Sequence, residues 1–423
     1  MPPHGFLRLL LFFLACALPK TTTSLSTTTT SHDNDTFYQA NSISIGILST
    51  VAGFMYEGNG LPGGSSRDNC LALHKRLFQV RGIAIDKEGN LFIASAGESK
   101  IYKVTASSGR ITAVSGALER GFSGDGGQAT LAQINNPNGV TLDTSGNIFI
   151  ADTHNSRIRK VTVSTGVITT VAGNGAGFVI NDNVAARSAS LNMPRDVAVD
   201  ASDNIFIADT GNGRIRKVTA STGMITTIAG TGNPIDAFPR KDTAVATEYY
   251  LHQPSGVTLD TFGNIFIAGD FDPCIFKVTV STGNISIVAG TGPSSGPLGC
   301  FTSGYNGDDI LATTAKLSGP TQVALDSLGN MFIADERNSR IRKLTASTGL
   351  ITTVAGTGVC ARGSTSESDG NGGSATLADL WTPSGVAVDT FDNFYFSDNY
   401  PDVVKKVTYI KVAPGTSVIA TKM

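Results

Sequence analysis

The chain contains the stretch Gly139-Val-Thr-Leu-Asp143, then Asn147-Ile-Phe-Ile-Ala-Asp152, Arg157-Ile-Arg-Lys-Val161 and Gly166-Val-Ile-Thr-Thr-Val-Ala-Gly173. The same four-part pattern occurs six times, with a period of roughly sixty residues. One copy is too small to bury its own apolar face, so neighbouring copies must pack against one another. The other copies start near Gly82, Asp196, Gly256, Gln322 and Gly385.

Each of the four parts has the pattern of a short β-strand. The first is largely apolar, as expected of an innermost strand, and the second is a continuous apolar run typical of a strand covered on both faces. The third alternates polar and apolar residues, which predicts a half-exposed strand. The fourth is rich in β-branched residues, and glycines mark the tight turns between strands. Four antiparallel strands in a radial arrangement predict an all-β, six-bladed β-propeller.

The two ends of the chain indicate how the ring closes. Gly46-Ile-Leu-Ser-Thr-Val-Ala-Gly53 is a fourth-strand sequence that precedes the first blade, and no full copy follows the last third strand at residues 403–407. We therefore expect this N-terminal strand to complete blade 6 and to leave few open sheet edges. The alternative is that Gly415-Thr-Ser-Val-Ile-Ala420 supplies that strand.

Residues 1–17 have the features of a secretory signal peptide. Arg8 precedes a six-residue apolar run and a small-residue cleavage site at Ala15-Cys16-Ala17. An acylated lipoprotein Cys16 is the alternative. We expect a Ser/Thr-rich linker over residues 18–42, the propeller over 43–410 and a C-terminal tail over 411–423. Asn34 and Asn284 begin N-glycosylation sequons, which matter if the host glycosylates exported proteins.

Charge and hydropathy exclude two classes of partner. The formal net charge is −2 among 423 residues, and no basic stripe of the kind that nucleic-acid binding needs is present. The apolar run in the signal peptide is shorter than the roughly 20 residues that span a bilayer, and no longer one follows. We expect an exported protein with no membrane span and no nucleic-acid partner.

The recurring phrases resemble NHL-repeat propellers over residues 43–410. Pro-x-Gly-Val-x-x-Asp, Gly-Asn-Ile/Met-Phe-Ile-Ala-Asp and Asn-x-Arg-Ile-Arg-Lys recur in register, and the connection at residues 122–131 is similar to that of exported NHL proteins, including the NHL segment of teneurins. The resemblance covers the propeller module alone. It implies a six-bladed ring that serves either as a binding module or as an enzyme, since amidating lyases, calcium-dependent lactonases and streptogramin lyases are similar propellers.

We call upper face the side of the ring where the loops between second and third strands and the connections between blades open. Loops of the form Asp-x-x-Asn-x-Arg recur there in three blades, at Asp152, Asp209 and Asp335, which favours a turn-capping role over a ligand site. Ligand sites are more typical of positions where repeats differ. Exposed aromatics near carboxylates suit a protein or glycan contact, and the candidate binding residues are Asp270, Phe271, Asp272, Trp381, Asn399 and Tyr400.

Four cysteines remain after the signal peptide, an even number that suggests disulfides in an exported chain. All four are expected on the upper face. Three pairings exist, and we predict Cys274–Cys300, which flank one blade, together with Cys70–Cys360, whose connections lie on either side of blade 6. Their spacing does not match a zinc site.

The channel mouth is the expected place for any catalytic metal. No acidic residue directly precedes an innermost strand, so carboxylate ligands for a hard cation are missing from these positions. His74 and His252 are the alternative metal ligands, in blades expected to lie across the ring, and Arg195 would join them. Asp-Gly-rich loops at residues 125–127, 306–309 and 369–373 are interpreted as turns. The residues that precede the innermost strands are Arg81, Asn138, Arg195, Ser255, Thr321 and Ser384.

The sequence therefore predicts a secreted, non-catalytic propeller without a cofactor or metal, which binds an extracellular protein or glycan through its upper face. This function depends on missing catalytic groups, because a propeller fold by itself does not fix function. The alternative is a metal-dependent lactonase- or lyase-like enzyme with its site at the channel mouth.

Overall fold

The computed structural model of the chain describes residues 43–54, 68–177, 181–232, 243–291, 304–359 and 370–412. These residues form six antiparallel sheets, each built around four strands. Every innermost strand contacts the innermost strands of the two neighbouring blades, so the six blades close into a ring around a channel. The predicted all-β, six-bladed propeller is confirmed.

The bounds of the strands follow the repeat. The innermost strands of blades 1 to 6 are Val80–Ile85, Pro137–Leu142, Asp196–Val199, Pro254–Leu259, Pro320–Leu325 and Pro383–Val388. The second strands are Leu91–Ser95, Ile148–Asp152, Ile205–Asp209, Ile265–Gly269, Met331–Asp335 and Phe394–Asp398. The third strands are Lys100–Thr105, Arg157–Thr162, Arg214–Val218, Ile275–Thr279, Arg340–Leu344 and Val403–Val412. The fourth strands are Arg110–Ser115, Val167–Ala172, Met224–Ala229, Asn284–Ala289, Leu350–Ala355 and, in blade 6, Ile43–Ala52.

The connections between blades add structure that the repeat pattern does not predict. In four blades the connection contributes a short fifth strand on the outer edge: Cys70–Leu71, Val184–Ala185, Thr243–Val245 and Ile310–Leu311. A 3-10 turn follows in each connection: Ala72–His74, Ala129–Leu131, Ala186–Ser188, Ala246–Glu248, Ala312–Thr314 and Ala375–Leu377. Three upper-face loops also form 3-10 turns: Thr153–Asn155, Thr210–Asn212 and Glu336–Asn338.

The N-terminal strand closes the ring, as predicted. Ile43–Ala52 pairs antiparallel with Val403–Val412, the third strand of blade 6, and Leu48 lies opposite Val407. Both side chains are fully buried. The alternative strand at residues 415–420 lies outside the described residues, as do the expected signal peptide and linker.

The core lies between the blades. The second strands are buried along their whole length, and their aromatic side chains contact the neighbouring sheet, as Phe332 contacts Phe394 with ring centroids 4.8 Å apart. Burying one such large apolar side chain contributes roughly 1.5–3 kcal/mol. In the part of the chain that the structure describes, no helix is long and apolar enough to cross a membrane.

The third strands are less exposed than their alternating pattern predicts. Arg159 is fully buried, with its guanidinium 3.3 Å from Asp152 and 2.7 Å from Asp125. Arg216 and Arg342 occupy the same position in blades 3 and 5 and pair with the equivalent carboxylates. The expectation of a half-exposed strand was wrong at this position because two acidic residues, distant in sequence, neutralise each cation inside the blade.

Candidate binding site at the channel mouth

A cavity of ≈340 Å³ opens at the upper mouth of the channel. The six residues that the sequence analysis placed directly before the innermost strands all line it. In the structure Arg195 precedes its strand, and the other five are the second residues of theirs. Hydroxyl groups of the lining join neighbouring blades: the Thr321 Oγ1 donates to the carbonyl of Ser384 at 2.8 Å, and the Thr153 Oγ1 donates to the carbonyl of Pro194 at 2.8 Å. These bonds cross blade boundaries, so they hold the mouth in a defined shape.

Asp196 and Gln322 form the floor of this cavity. Four blades have glycine at the first channel-facing position, and at Gly139 an added Cβ would lie 2.5 Å from the Asp196 Oδ1. Blade 3 has Asp196 there and blade 5 has Gln322. The Gln322 Nε2 donates to the Asp196 carboxylate, 3.5 Å from Oδ1 and 3.4 Å from Oδ2. Both residues also line a second cavity of ≈220 Å³ lower in the channel, so they lie between the two cavities.

The remaining bonds of the floor reach two more blades. The backbone N–H of Val257 donates to the Asp196 Oδ2 at 3.0 Å, and the N–H of Val386 donates to the Gln322 Oε1 at 3.0 Å. The floor therefore links blades 3, 4, 5 and 6. Burial raises the pKa of Asp196 to about 7, although the N–H groups of Val257 and Val197 and the Gln322 amide favour its ionised form.

Three arginines and two further acidic residues line the cavity above the floor. Asp270 lies between two of the arginines, with its Oδ2 2.7 Å from the Arg195 Nη1 and its Oδ1 2.6 Å from the Arg337 Nη2. One carboxylate thus serves two guanidinium groups from blades 3 and 5, and this cluster retains a positive charge.

The third arginine has no such partner. The partly buried Arg81 makes no side-chain hydrogen bond or ion pair within the described part of the chain. Glu336 also lines the cavity, and burial raises the pKa of its carboxyl while the positive charge of Arg81 opposes that rise. The mouth therefore contains a guanidinium whose donors are unused and an acidic residue whose charge is disfavoured.

The sequence analysis named Asp270 as a candidate binding residue, but it placed no acidic residue at the channel mouth. It considered only the residue directly before each innermost strand, whereas the carboxylates come from the next position, Asp196, and from two upper-face loops, Asp270 and Glu336. Each is a departure from the repeat: Asp196 replaces glycine, and Glu336 replaces the threonine found at residues 153 and 210. These departures from the repeat were the signal in the sequence that could have indicated the acidic residues of the mouth.

The three blade 4 candidates have different environments. Asp270 belongs to the mouth. Phe271 is 48% exposed, and its ring lies 5.0 Å from that of His252 and 5.6 Å from the Arg337 Cζ. Asp272 is buried, and its Oδ2 accepts a 3.0 Å hydrogen bond from the backbone N–H of His252. Asp272 thereby takes over the structural role that a buried second-strand aspartate has in blades 2, 3, 5 and 6, so it is not available at the surface.

The blade 6 candidates form an aromatic pair. Trp381 and Tyr400 stack with ring centroids 4.6 Å apart, and Tyr400 is 62% exposed. Asn399 directly precedes Tyr400 in the chain, and its Oδ1 is buried with no hydrogen-bond partner among the described residues. In the sequence, the blade 5 loop that contains Arg337 lies between Phe271 and this aromatic pair. We call upper rim the aromatic residues Phe271, Trp381 and Tyr400, of which Phe271 and Tyr400 are exposed and Trp381 is partly buried.

The alternative metal ligands do not meet at the mouth. His74 is exposed at the end of the 3-10 turn Ala72–His74, and His252 packs against Phe271. Neither lines the cavity, whereas His154 does. Within the described ranges, no three or more His, Cys, Asp or Glu side chains are grouped closely enough to hold a metal ion. The Asp-Gly-rich loops have structural roles: Asp125 pairs with Arg159 and Asp308 pairs with Arg342.

The cysteines correct one prediction. Cys70 is a free cysteine on the outer edge of blade 1, so the predicted Cys70–Cys360 bond was wrong. The fifth strand, which sequence analysis did not foresee, places Cys70 there and not in an upper-face loop. Cys274 is buried and disulfide-bonded, with a partner outside the described residues. Cys300 and Cys360 lie outside the described residues, so Cys274–Cys300 stays a prediction.

Of the two predicted glycosylation sites, Asn284 is exposed at the start of its strand, and Asn34 lies outside the described residues.

Comparisons with known proteins agree with this architecture. The family model of the teneurin NHL domain matches residues 116–178, and that of the NHL repeat matches residues 191–218. Mouse teneurin-4 is 30% identical over 52% of this chain and 8% of its own length. The Arabidopsis thaliana protein SUPPRESSOR OF QUENCHING 1, chloroplastic, is 25% identical over 82% of this chain and 32% of its own length. The chain thus spans a third or less of either relative.

The solved structures share the fold. The crystal structure of an auxiliary nutrient binding protein from Bacteroides thetaiotaomicron has a TM-score of 0.58 at 14% sequence identity. The alignment covers 87% of this chain and 77% of that one. At this identity the likeness concerns the propeller architecture alone.

Proposed function

We propose that this chain, an NHL-repeat propeller that resembles the NHL domain of teneurins, is a secreted binding module without catalytic activity. Its upper face recognises an extracellular protein or glycan. The similarity to teneurins supports a binding or scaffold role. The observation that carries the proposal is the arginine-lined mouth cavity beside the exposed aromatic rim.

The chemistry of the upper face favours recognition. The rim offers flat apolar rings, since Tyr400 is 62% and Phe271 48% exposed, and exposed aromatics together with arginine are typical of binding hot spots. The mouth offers fixed hydrogen-bonding groups, because cross-blade bonds hold its lining residues. A ligand would find pre-organised contacts and lose little affinity to the ordering of loops.

The same contacts argue against the lactonase or lyase alternative. The Asp270 carboxylate already accepts from two arginines, and Asp196 accepts from Val257 and Gln322. Carboxylates engaged in this way are poor ligands for a hard cation. Elemental analysis of protein purified without chelator tests this point. A stoichiometric metal that is lost in the His74→Ala/His252→Ala variant would overturn the non-catalytic proposal.

The binding proposal is tested with a matched pair of surface variants. Phe271→Ser/Tyr400→Ser removes two rings from the upper rim. Phe262→Ser/Phe391→Ser removes two rings from hairpin turns on the opposite, lower face, where these side chains are 86% and 84% exposed. Labelled wild type and both variants are applied to a glycan array and to intact cells. We expect the upper-rim variant to lose binding and the lower-face variant to retain it. Equal binding by both, or loss only in the lower-face variant, would overturn the proposal.

A further inference from the structure

We propose that the mouth cavity binds the carboxylate of an acidic sugar, with the Arg81 guanidinium as its counter-ion. This inference rests on the proposed binding function and names the ligand class for the same face. The cavity of ≈340 Å³ lies near the lower end of the range of roughly 300–1,000 Å³ that small-molecule sites have, which suits a single sugar unit.

The first argument is the state of Arg81. Its guanidinium is partly withdrawn from water and uses none of its donors on the described protein groups. A guanidinium presents five N–H donors in a planar fork, and a cation removed from water is costly unless it is paired. A ligand carboxylate can take two parallel hydrogen bonds from that fork, which is the geometry arginine favours.

The second argument is the balance of charge around the cavity. Arg195 and Arg337 share the single carboxylate of Asp270, and Arg81 adds a further positive charge. The opposing groups are Glu336, Asp196 and Asp402, a carboxyl outside the lining that interacts with the charge of Arg81, and burial disfavours the ionised form of all three. The titratable and charged side chains that line the cavity are Arg81, His154, Arg195, Asp196, Asp270, Glu336 and Arg337. The mouth is therefore biased towards an anion.

The third argument is the polarity of the lining. The amide of Asn138, the hydroxyl groups of Ser255 and Thr321 and the carboxyl of Glu336 give the lining of the cavity polar groups that a ligand can contact. Apart from Met193, the lining contains no large apolar side chain. A ligand rich in hydroxyl groups can satisfy such a lining, whereas a fatty or aromatic acid would leave buried polar groups unpaired. A carboxylate and several hydroxyls on one small ring describe a hexuronic acid.

The direct test is titration of the full secreted chain with glucuronate, glucose and acetate, followed by isothermal calorimetry. We expect binding of glucuronate, weaker binding of acetate and none of glucose at matched concentrations. Arg81→Gln should weaken glucuronate binding by about tenfold to hundredfold, since a hydrogen-bonded charge contact is lost. Arg81→Lys should give an intermediate affinity. Arg187→Gln, at an exposed arginine outside the mouth, should bind like wild type.

A pH series tests the balance of charge in the cavity. Between pH 8 and pH 5.5 the sugar carboxylate stays ionised, because carboxyl groups titrate near pH 4. Asp196, whose pKa burial raises to about 7, takes up a proton over this range, and the raised pKa of Glu336 acts in the same direction. The affinity for glucuronate should therefore rise as the pH falls. In Arg81→Gln this rise should start from a much weaker affinity.

The outcomes distinguish a failure of this inference from a failure of the proposed binding function. If glucuronate does not bind, or binds wild type and Arg81→Gln equally, the acidic-sugar assignment is wrong. In that case the proposed function would still be supported if binding on the glycan array continued to depend on the upper rim. Equal binding of glucose and glucuronate would also overturn the assignment, since it would show that the carboxylate is not recognised.

Discussion

Gln322 donates a hydrogen bond across the channel to Asp196, with its Nε2 3.4 Å from the Asp196 Oδ2. The two residues come from blades 5 and 3, and they are separated by 126 positions in the sequence. Asp196 is fully buried with neutral partners around its carboxylate. This environment makes the floor of the mouth sensitive to pH.

We predict that Asp196 makes the protein less stable as the pH rises towards 8. Burial raises its pKa from 3.8 to about 7, so the folded protein holds this proton at pH values where the unfolded chain has released it. The resulting stabilisation is complete below about pH 4 and is lost as the pH rises through about 7, and it amounts to about 4 kcal/mol at most.

The measurement is the free energy of unfolding of wild type and Asp196→Asn between pH 5 and pH 8. The variant should lose less stability over this range, and at pH 8 it should equal or exceed wild type. Asp203→Asn, at an exposed turn residue with positive φ, is the control and should follow wild type. Parallel curves for wild type and Asp196→Asn would contradict the prediction.

The buried ion pairs inside the blades should be sensitive to loss of one partner. Arg159→Met leaves the carboxylate of Asp152 buried without its cation, and breaking a buried pair in this way costs roughly 3–5 kcal/mol. Thermal unfolding of the variant should show a large fall in Tm. Arg187→Met, at an exposed arginine, should unfold like wild type, and a similar result for Arg159→Met would mean that the pair contributes little.

The closing strand should contribute strongly to stability through one side chain. Leu48 is fully buried opposite Val407, and Leu→Ala at a core position costs roughly 2–5 kcal/mol. Urea unfolding of Leu48→Ala should shift to a lower midpoint. The neighbouring Ser49 is exposed, so Ser49→Ala should leave the midpoint unchanged. Equal midpoints for the two variants would argue against closure through this strand.

The cysteines can be assigned by peptide mass spectrometry without reduction. Cys70 is a free thiol with partial exposure, so it should be alkylated by iodoacetamide in the native protein. Cys274 should appear in a disulfide-linked pair of peptides, and we expect Cys300 in the other peptide of that pair. A linked Cys70–Cys360 peptide would contradict the structure, and a Cys274–Cys360 peptide would contradict the predicted partner.

Several features were predictable because they depend on local pattern. The six-fold period, the four strands of each blade and the closing role of residues 43–52 follow from alternating or continuous apolar runs bounded by turn residues. Six of the residues that line the upper mouth were also predictable, since they stand at equivalent positions next to the recurring innermost-strand sequence.

The burial of Arg159, Arg216 and Arg342 was not predictable from the third-strand pattern. An alternating strand predicts an exposed polar side chain, whereas here the connection between blades folds back and brings a second carboxylate to each guanidinium. The position of Cys70 depends on the same connection, which forms an additional outer strand in blade 1.

The sequence alone determined the ring, because every blade repeats the same local preferences and apolar faces of that kind can be buried only by neighbouring copies. The tertiary structure decided what the ring encloses. Arg81, Asp196, Asp270 and Gln322 belong to four different blades, and only closure of the ring brings them to one cavity. Their charges, hydrogen bonds and burial are properties of that shared space, which no single repeat contains.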